Sequence, residues 1–410
     1  MSSETSSTPL PGDDAWLRAE QARLLGFARG ARLPDGGFGW LDDRGRAQED
    51  GPVHTWITCR MTHVFALAHL LGDRDAAGLV DHGIAALATL LRDREHGGWY
   101  TGVDRDGRPL TTDKSAYAHA FVVLAAAGAT AAGRPGGREL LTDALGVVER
   151  RFWDEERGRL VESWDLPWRV CEPYRGANSN MHAVEAFLAA GDVTGESIWH
   201  ERALRIVRHI VHEYARAADW RVIEHFDADW TPLYEYNEDR PDDPFRPYGG
   251  TVGHWFEWAR LMLGLRASLP NPPAWLLDDA EALFAAGVRD GWHVDGRPGF
   301  VYTVDWKGAP AVRVRMHWVA AEAIAAAAVL HRVTGRAEYE HWYRTWWRYT
   351  EEAFIDRARG SWHHELTPWN TPAATVWPGK PDVYHAVQAT LIPRLPVEPA
   401  MAEALRRNPI

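Results

Sequence analysis

Six short stretches rich in glycine and tryptophan recur along the chain at nearly even intervals, and no other feature restricts its fold as tightly. They are GGFGWLDDRGR from Gly36, GGWYTGVDRDGRPL from Gly97, RGRLVESWD from Arg157, WRVIEHFDADWTPL from Trp220, GWHVDGRPGFVYTVDWKG from Gly291 and RGSWHHELTP from Arg359. Counted start to start they stand 61, 60, 63, 71 and 68 residues apart, a period near 65. Glycine and aspartate between short aromatic or β-branched runs are turn chemistry, so each stretch reads as a hairpin.

Two helical patterns fill each interval, rich in alanine and leucine with apolar residues at i, i+3, i+4 and i+7. Thr55 to Leu71 and Arg74 to Leu91 are split by Gly72-Asp73; Arg315 to Val333 and Ala337 to Ala353 are split by Thr334-Gly335. A helix pair cannot bury its own apolar face, so the pairs must stack. The expected fold is all-α: an (α/α)6 barrel of six helix pairs with short hairpins between repeats, forming one catalytic domain over residues 15–410. An open solenoid has the same local pattern. Irregular unit length and polar residues inside the helices favour closure around a central site.

The helix after each hairpin carries a polar or ionisable residue: Arg60, His119, His182, His254, His317 and His385, separated by 59, 63, 72, 63 and 68. These separations follow the repeat, and the six side chains are expected to converge near one end of the barrel. Several have a polar companion one turn on: His63, Glu185, Glu257 and Gln388. His254 and Glu257 lie in RPYGGTVGHWFEWARL (Arg246 to Leu261), which sets an imidazole beside a carboxylate. For His119 and His317 the plain reading, a buried hydrogen-bonded histidine, is as good as a functional one. From Trp220 to His254 is 34 residues, against 22 to 26 in the other repeats. The surplus at 231–250 is expected to shape or cover the mouth of a site, with a plain surface insertion as the alternative.

Composition narrows the partners. Net charge is −12 with lysine and arginine scattered, which argues against nucleic acid. The most apolar segment, Val319 to Leu330, contains Glu322 and is too short to span a bilayer. The opening residues MSSETSSTPLPGDD lack a signal-peptide core and read as a disordered tail over 1–14. Cys59 and Cys171 are far apart and without metal spacing, which fits a reducing cytoplasm. A monomer or homodimer is expected.

Three chemistries suit histidines and carboxylates around a pocket. Histidine and glutamate are good metal ligands, but no HExxH is present and Arg60, a cation, stands among the candidates; no metal and no cofactor are expected. The HHE at His363 to Glu365 reads as hairpin surface polarity. Glycoside hydrolysis needs two carboxylic acids at a cleft, for which Glu185, Glu257 and Glu322 are the available groups; a hydrolytic or carbohydrate-binding barrel stays open. Proton transfer at carbon next to a carbonyl suits imidazole best, since it takes and returns a proton near neutral pH. A sugar aldehyde deprotonated at C2 gives an enediol. Return of the proton to C1 makes the ketose, and return to C2 from the other face makes the epimer.

Five motifs together resemble the N-acylglucosamine 2-epimerase superfamily: TCRMTHVFAL from Thr58, KSAYAHAF from Lys114, ANSNMHAVEA from Ala177, GHWFEWARL from Gly253 and KPDVYHAVQATL from Lys380. The likeness runs from about residue 15 to about 395 and leans toward the aldose–ketose isomerases of that superfamily. It implies an (α/α)6 barrel and metal-independent interconversion of D-mannose and D-fructose through a cis-enediol, with D-lyxose as a related substrate. It places acid–base roles on His254 and His385, with Glu257 as the carboxylate partner of His254. Arg60, Tyr117, Asn178 and His182 match positions that hold substrate hydroxyls, and Trp56, Trp318 and Glu322 match pocket lining. Sugar 2-epimerases share the histidine pair, so 2-epimerisation remains the alternative.

Overall fold

The computed structural model describes residues 10–410. Positions 1–9 of the expected tail lie outside the described residues. Leu10 to Asp13 run up to the first helix, where Tyr343 donates its hydroxyl to the Gly12 carbonyl (2.8 Å) and Arg344 pairs with Asp13 (2.5 Å).

The described residues form thirteen α-helices. In chain order these are α1 (Asp14–Ala28), α2 (Thr55–Leu70), α3 (Ala76–Ala88), α4 (Ala116–Ala131), α5 (Gly137–Val147), α6 (Ala177–Thr194) and α7 (Ile198–Val207). They continue with α8 (Val252–Ser268), α9 (Trp275–Gly291), α10 (His317–Thr334), α11 (Ala337–Ala353), α12 (Tyr384–Leu391) and α13 (Met401–Arg407). Helices α2, α4, α6, α8, α10 and α12 are buried at almost every position. A helix that is apolar on all sides has to be wrapped by others, and these six form the inner ring, α12 closing against α2. Their partners are one-sided: α11 (AEYEHWYRTWWRYTEEA) buries an aromatic stripe from Tyr339 to Tyr349 and leaves its charges outside.

Five outer helices, α3, α5, α7, α9 and α11, each pack on the inner helix before them, as the repeat predicts. The sixth pair is made differently. The outer partner of α12 is α1, brought round from the start of the chain, so the ring is closed by its two ends. Helix α13 lies against α2, α4 and α6 and forms no part of the sixth pair.

The hairpins are where the sequence places them. Five carry a turn aspartate, Asp42, Asp104, Asp165, Asp227 or Asp305, whose Oδ1 accepts two backbone N–H groups; Thr367 does the same in the sixth. This side-chain capping is why aspartate recurs at the turn; glycine follows it three residues on in three of the five, and Trp168 and Trp230 take that left-handed place in the others. The bridge residues Leu41, Val103, Trp164, Phe226, Val304 and Leu366 mark the turns at intervals of 62, 61, 62, 78 and 62. The one long interval holds the 231–250 insertion.

Each hairpin is also stitched to its neighbour. The first N–H of α2, α4, α6, α8 and α10 is unsatisfied within its helix; it donates to the carbonyl of Thr101, Glu162, Glu224, Tyr302 or His364 on the following hairpin, at 2.7 to 3.2 Å. The N-termini of these inner helices are thereby held at the hairpin end of the barrel. Lys114 and Lys380, from two of the sequence motifs, are buried ties of the same region, paired with Asp93 (2.5 Å) and Asp356 (2.7 Å). Among the described residues no helix is long and apolar enough to cross a membrane.

Candidate active site

The six polar positions that track the repeat do not share one helical register. Arg60 and His182 are the sixth residues of their helices, His119 is the fourth, His254 the third and His317 the first. The shared stripe is formed by the second and sixth residues, one turn apart on one face: Trp56 and Arg60, Tyr117 and Phe121, Asn178 and His182, Gly253 and Glu257, Trp318 and Glu322. Gly253 stands where the other helices carry a large side chain. A Cβ there would lie 2.3 Å from the Trp318 ring, so the glycine makes room for that indole.

At the hairpin end this stripe opens into a cavity of about 710 Å³ counted out to its mouth. Trp56, Arg60, Tyr117, Asn178, His182, His254, Glu257, Trp318 and His385 all line it, as does His317. His119 does not. Its Nδ1–H donates to the Ser115 carbonyl (2.8 Å) and its Nε2 accepts from the Trp99 N–H (3.1 Å), which makes it a satisfied core histidine.

His254 and His385 are anchored alike. The Nδ1–H of His254 donates to Glu224 Oε1 (2.9 Å), and that of His385 to Glu322 Oε1 (2.8 Å). A carboxylate on Nδ1 fixes the tautomer and leaves the Nε2 lone pair free for the cavity. The Trp318 ring lies between them, its centroid 5.2 Å from His254 and 5.7 Å from His385. Burial draws His385 below the ordinary imidazole range, against the opposing pull of Glu322.

Two expectations change here. Glu257 is not the partner of His254: one turn along α8 its Oε1 accepts from Arg260 (3.3 Å), and the imidazole turns instead to Glu224 on the preceding hairpin. Glu322 does not line the cavity but stands behind His385, its second oxygen taken by Arg260 Nε–H (2.7 Å). Glu224 was findable from the repeat. Glu162 occupies the same place one hairpin earlier and accepts from Ser179 (2.6 Å), the third residue of α6, as Glu224 does from the third residue of α8.

The opposite wall is cationic. Arg60 donates to Asp382 (3.2 Å) and to the Tyr117 hydroxyl (3.1 Å), and its guanidinium lies 4.7 to 4.9 Å from the rings of Trp56, Phe121 and Tyr384. Burial pushes the Tyr117 phenol up to about 12 and pulls His182 down to about 4, so both are neutral at physiological pH. Asn178 Oδ1 is buried without a partner at the cavity wall. His317 stacks on His364 (3.7 Å), and burial lowers it to about 3.

The companion residues sit one layer deeper. Glu185 accepts from Gln388 Nε2 (3.1 Å) and from the Tyr384 hydroxyl, while His63 faces a separate cavity beyond this layer. The His363–Glu365 triplet is not surface polarity: Glu365 is buried and accepts the N–H groups of Thr375, Val376 and Trp377, which fixes the loop that carries Trp377 to the cavity.

The inserted loop supplies Pro244, Phe245 and Pro247 to the lining. Phe245 meets Trp56 (6.2 Å), Tyr117 (5.9 Å) and Trp377 (5.3 Å) edge-on. Arg246 grips Glu172 with both terminal nitrogens (2.8 and 3.0 Å), and His225 Nε2–H donates to the Pro247 carbonyl (2.8 Å). Phe245, Trp377 and Asp382 carry no periodic signal that singles them out in the sequence.

Two triads could offer metal ligands, His182 with Glu185 and Glu257, and Glu257 with Glu322 and His385. Arg260 stands among their carboxylates, bonded to Glu257 and Glu322 and 3.7 Å from Glu185, and already supplies the positive charge that a divalent ion would bring.

A closed helical barrel with two carboxylate-anchored imidazoles facing one cavity defines an acid–base enzyme for a small substrate. A profile of the N-acylglucosamine 2-epimerase (GlcNAc 2-epimerase) family matches residues 36–389, and the chain belongs to that family. It is similar to a D-mannose isomerase of Thermobifida fusca, 59% identical over 95% of this chain and 96% of the relative. A D-mannose isomerase of Pseudomonas cannabina pv. alisalensis is 53% identical over 96% of each chain. A crystal structure of a D-mannose isomerase superposes with a TM-score of 0.88 at 28% identity, over 95% of this chain and 99% of that one. The cellobiose 2-epimerase of Spirochaeta thermophila shares the fold, with a TM-score of 0.80 at 22% identity over 93% of this chain and 95% of that one. The protein is an isomerase of this family.

Proposed function

We propose that this isomerase interconverts D-mannose and D-fructose, with D-lyxose and D-xylulose as a related pair, by metal-independent proton transfer through a cis-enediol. The observation that carries the reading is the pair of imidazoles, each with Nδ1–H on a carboxylate and both facing one cavity. The two relatives above 50% identity, both D-mannose isomerases, support the choice of sugar.

His254 opens the ring: its Nε2 takes the anomeric O–H proton and hands it to the ring oxygen as the C1–O5 bond breaks. His385 then acts on the open chain. Its Nε2 takes the proton from C2, the electron pair forms the C1=C2 bond, and the negative charge passes to the C1 oxygen, which takes up the proton of the neighbouring O2 hydroxyl. Return of the proton from His385 to C1, as the C2=O2 bond forms, gives the ketose. The fixed charge of Arg60 steadies the oxyanion that develops, and Trp318 offers a flat apolar surface to the C–H face of the sugar. Arg260, sitting where a cation would bind, supports the metal-free form of the mechanism.

Nuclear magnetic resonance of D-mannose with the enzyme in D₂O tests the reading. Early fructose deuterated at C1 is expected; glucose without fructose would make the enzyme a 2-epimerase. Activity is expected to survive EDTA, and a loss restored by a divalent ion would remove the metal-free mechanism.

A further inference from the structure

Three buried carboxylates share one guanidinium in the floor of the cavity. Arg260 donates to Glu322 (2.7 Å) and Glu257 (3.3 Å) and stands 3.7 Å from Glu185. Two of the three are fully provided for. Glu322 takes His385 on one oxygen and Arg260 on the other; Glu185 takes Gln388 on one and the Tyr384 hydroxyl on the other, with His182 Nδ1 at 3.4 Å. Glu257 has only the Arg260 hydrogen bond on Oε1, with His182 Nδ1 farther off at 3.9 Å, and its Oε2 is buried with no hydrogen-bond partner.

The three carboxylates are also close. Ligand atoms of Glu257, Glu322 and His385 lie within 4.8 Å of one another, and so do those of His182, Glu185 and Glu257. Carboxylates that close in a water-poor setting raise one another's affinity for a proton, and Arg260 is the one cation bonded to them, with Arg60 farther off. The proton settles on the carboxyl with the fewest donors, which is Glu257. Burial, and then the charge of Glu322, push this carboxyl well above its usual range. The other groups around it are Arg60 from α2, Tyr117 from α4, His182 and Glu185 from α6, and Tyr384, His385 and Gln388 from α12. None of them hydrogen-bonds Oε2.

We propose that Glu257 works as a neutral carboxylic acid whose Oε2–H donates a hydrogen bond to a hydroxyl or the ring oxygen of the bound sugar. The proposal rests on the sugar-isomerising function above. No bond of Glu257 breaks: the proton stays on the carboxyl, and the contact strengthens as negative charge grows on the sugar oxygen. A carboxyl kept neutral by its surroundings is suited to that task, since an ionised one could only accept.

Glu257→Gln preserves a donor of nearly the same shape, and Glu257→Ala removes it. The alanine variant is expected to lose about 10²–10³ in kcat/KM, the range for removing one such donor, while the glutamine variant loses no more than about tenfold. The wild-type kcat/KM should fall on the alkaline side as Glu257 ionises, and that limb should be absent in Glu257→Gln. Substrate-free infrared difference spectra of wild type against Glu257→Gln at neutral pH should show the C=O stretch of a protonated carboxyl. The proposal is overturned if that band is missing, if Glu257→Gln loses as much as Glu257→Ala, or if Glu257→Ala loses nothing. A protein that shows the band yet leaves D-mannose unchanged supports the neutral carboxyl and counts against the choice of sugar alone.

Discussion

The two imidazoles differ in what stands behind them. Glu224, the support of His254, comes from a hairpin and also accepts a bond from the Thr251 N–H (3.4 Å); Glu322, the support of His385, comes from the inner ring and is paired with Arg260. His385 is therefore held by a buried ion pair, which suits the role proposed for it, a base that returns its proton to a defined carbon. His254→Ala and His385→Ala should each lower kcat by about 10²–10⁴, the usual contribution of a positioned base, with the circular dichroism of the fold unchanged. The same burial sets the pH response. A base works only unprotonated, and the buried His385 releases its proton at a lower pH than a free imidazole. The acid limb of kcat/KM should accordingly fall below the ordinary histidine value of about 6.5, leaving the rate flat through neutral pH; a limb centred above that value would assign the limiting proton to another group. At this scale spacing in the sequence reveals the type of chemistry and picks out Arg60, His182, His254, Glu257, His317 and His385 of the cavity lining, while Trp56, Tyr117, Asn178 and Trp318 come only from the family resemblance. Glu224 is legible only by setting one hairpin against the next, where Glu162 holds the same place; the carboxylate one turn along the same helix is the nearer candidate on paper, and only a third residue, Arg260, draws Glu257 away.

Among the elements, the hairpins are the most readable because each is written in turn chemistry, and five of the six inner–outer pairs follow from helical periodicity. The sixth was hidden by distance along the chain. Among the described residues no hairpin precedes α1, and nothing local says that Asp14–Ala28 will pack on Tyr384–Leu391 far along the chain. The insertion was readable as a surplus of residues, and its reach into the cavity follows from the anchors within it. Arg246 is the strongest, forked on Glu172 and lying 3.9 Å from the centre of the Tyr174 ring. If the loop holds Phe245 over the mouth, Arg246→Ala should raise KM for the sugar by about tenfold, a loss of about 1.4 kcal/mol in binding, with a smaller effect on kcat. Steady-state kinetics with D-mannose would show it, and an unchanged KM would reduce the loop to a surface insertion.

Burial keeps a set of histidines neutral, and this sets how the whole molecule tolerates acid. Burial lowers His119 and His317 to about 3 and His63 and His182 to about 4, whereas the unfolded chain takes up these protons near 6.5. Between those values the unfolded state binds more protons than the native one, so stability is highest above about 6.5 and declines as the pH drops toward 4. Each histidine adds up to about 1.4 kcal/mol per pH unit to that slope. His119 is the one whose share can be removed cleanly, because it lies outside the cavity and has a stand-in within the same fold. It is the fourth residue of α4, where its Nε2 accepts the N–H of Trp99; the fourth residues of α2 and α6, Thr58 and Asn180, accept the N–H groups of Phe38 and Leu160 in the same manner. His119→Asn keeps an acceptor at that place and takes away the titrating ring. Thermal melts from pH 7 to 4.5 should then show a shallower loss of Tm than in the wild type, with activity near neutral pH retained. Parallel curves for the two proteins would mean that His119 takes up its proton in the native state as well, and that the acid sensitivity belongs to the other buried histidines.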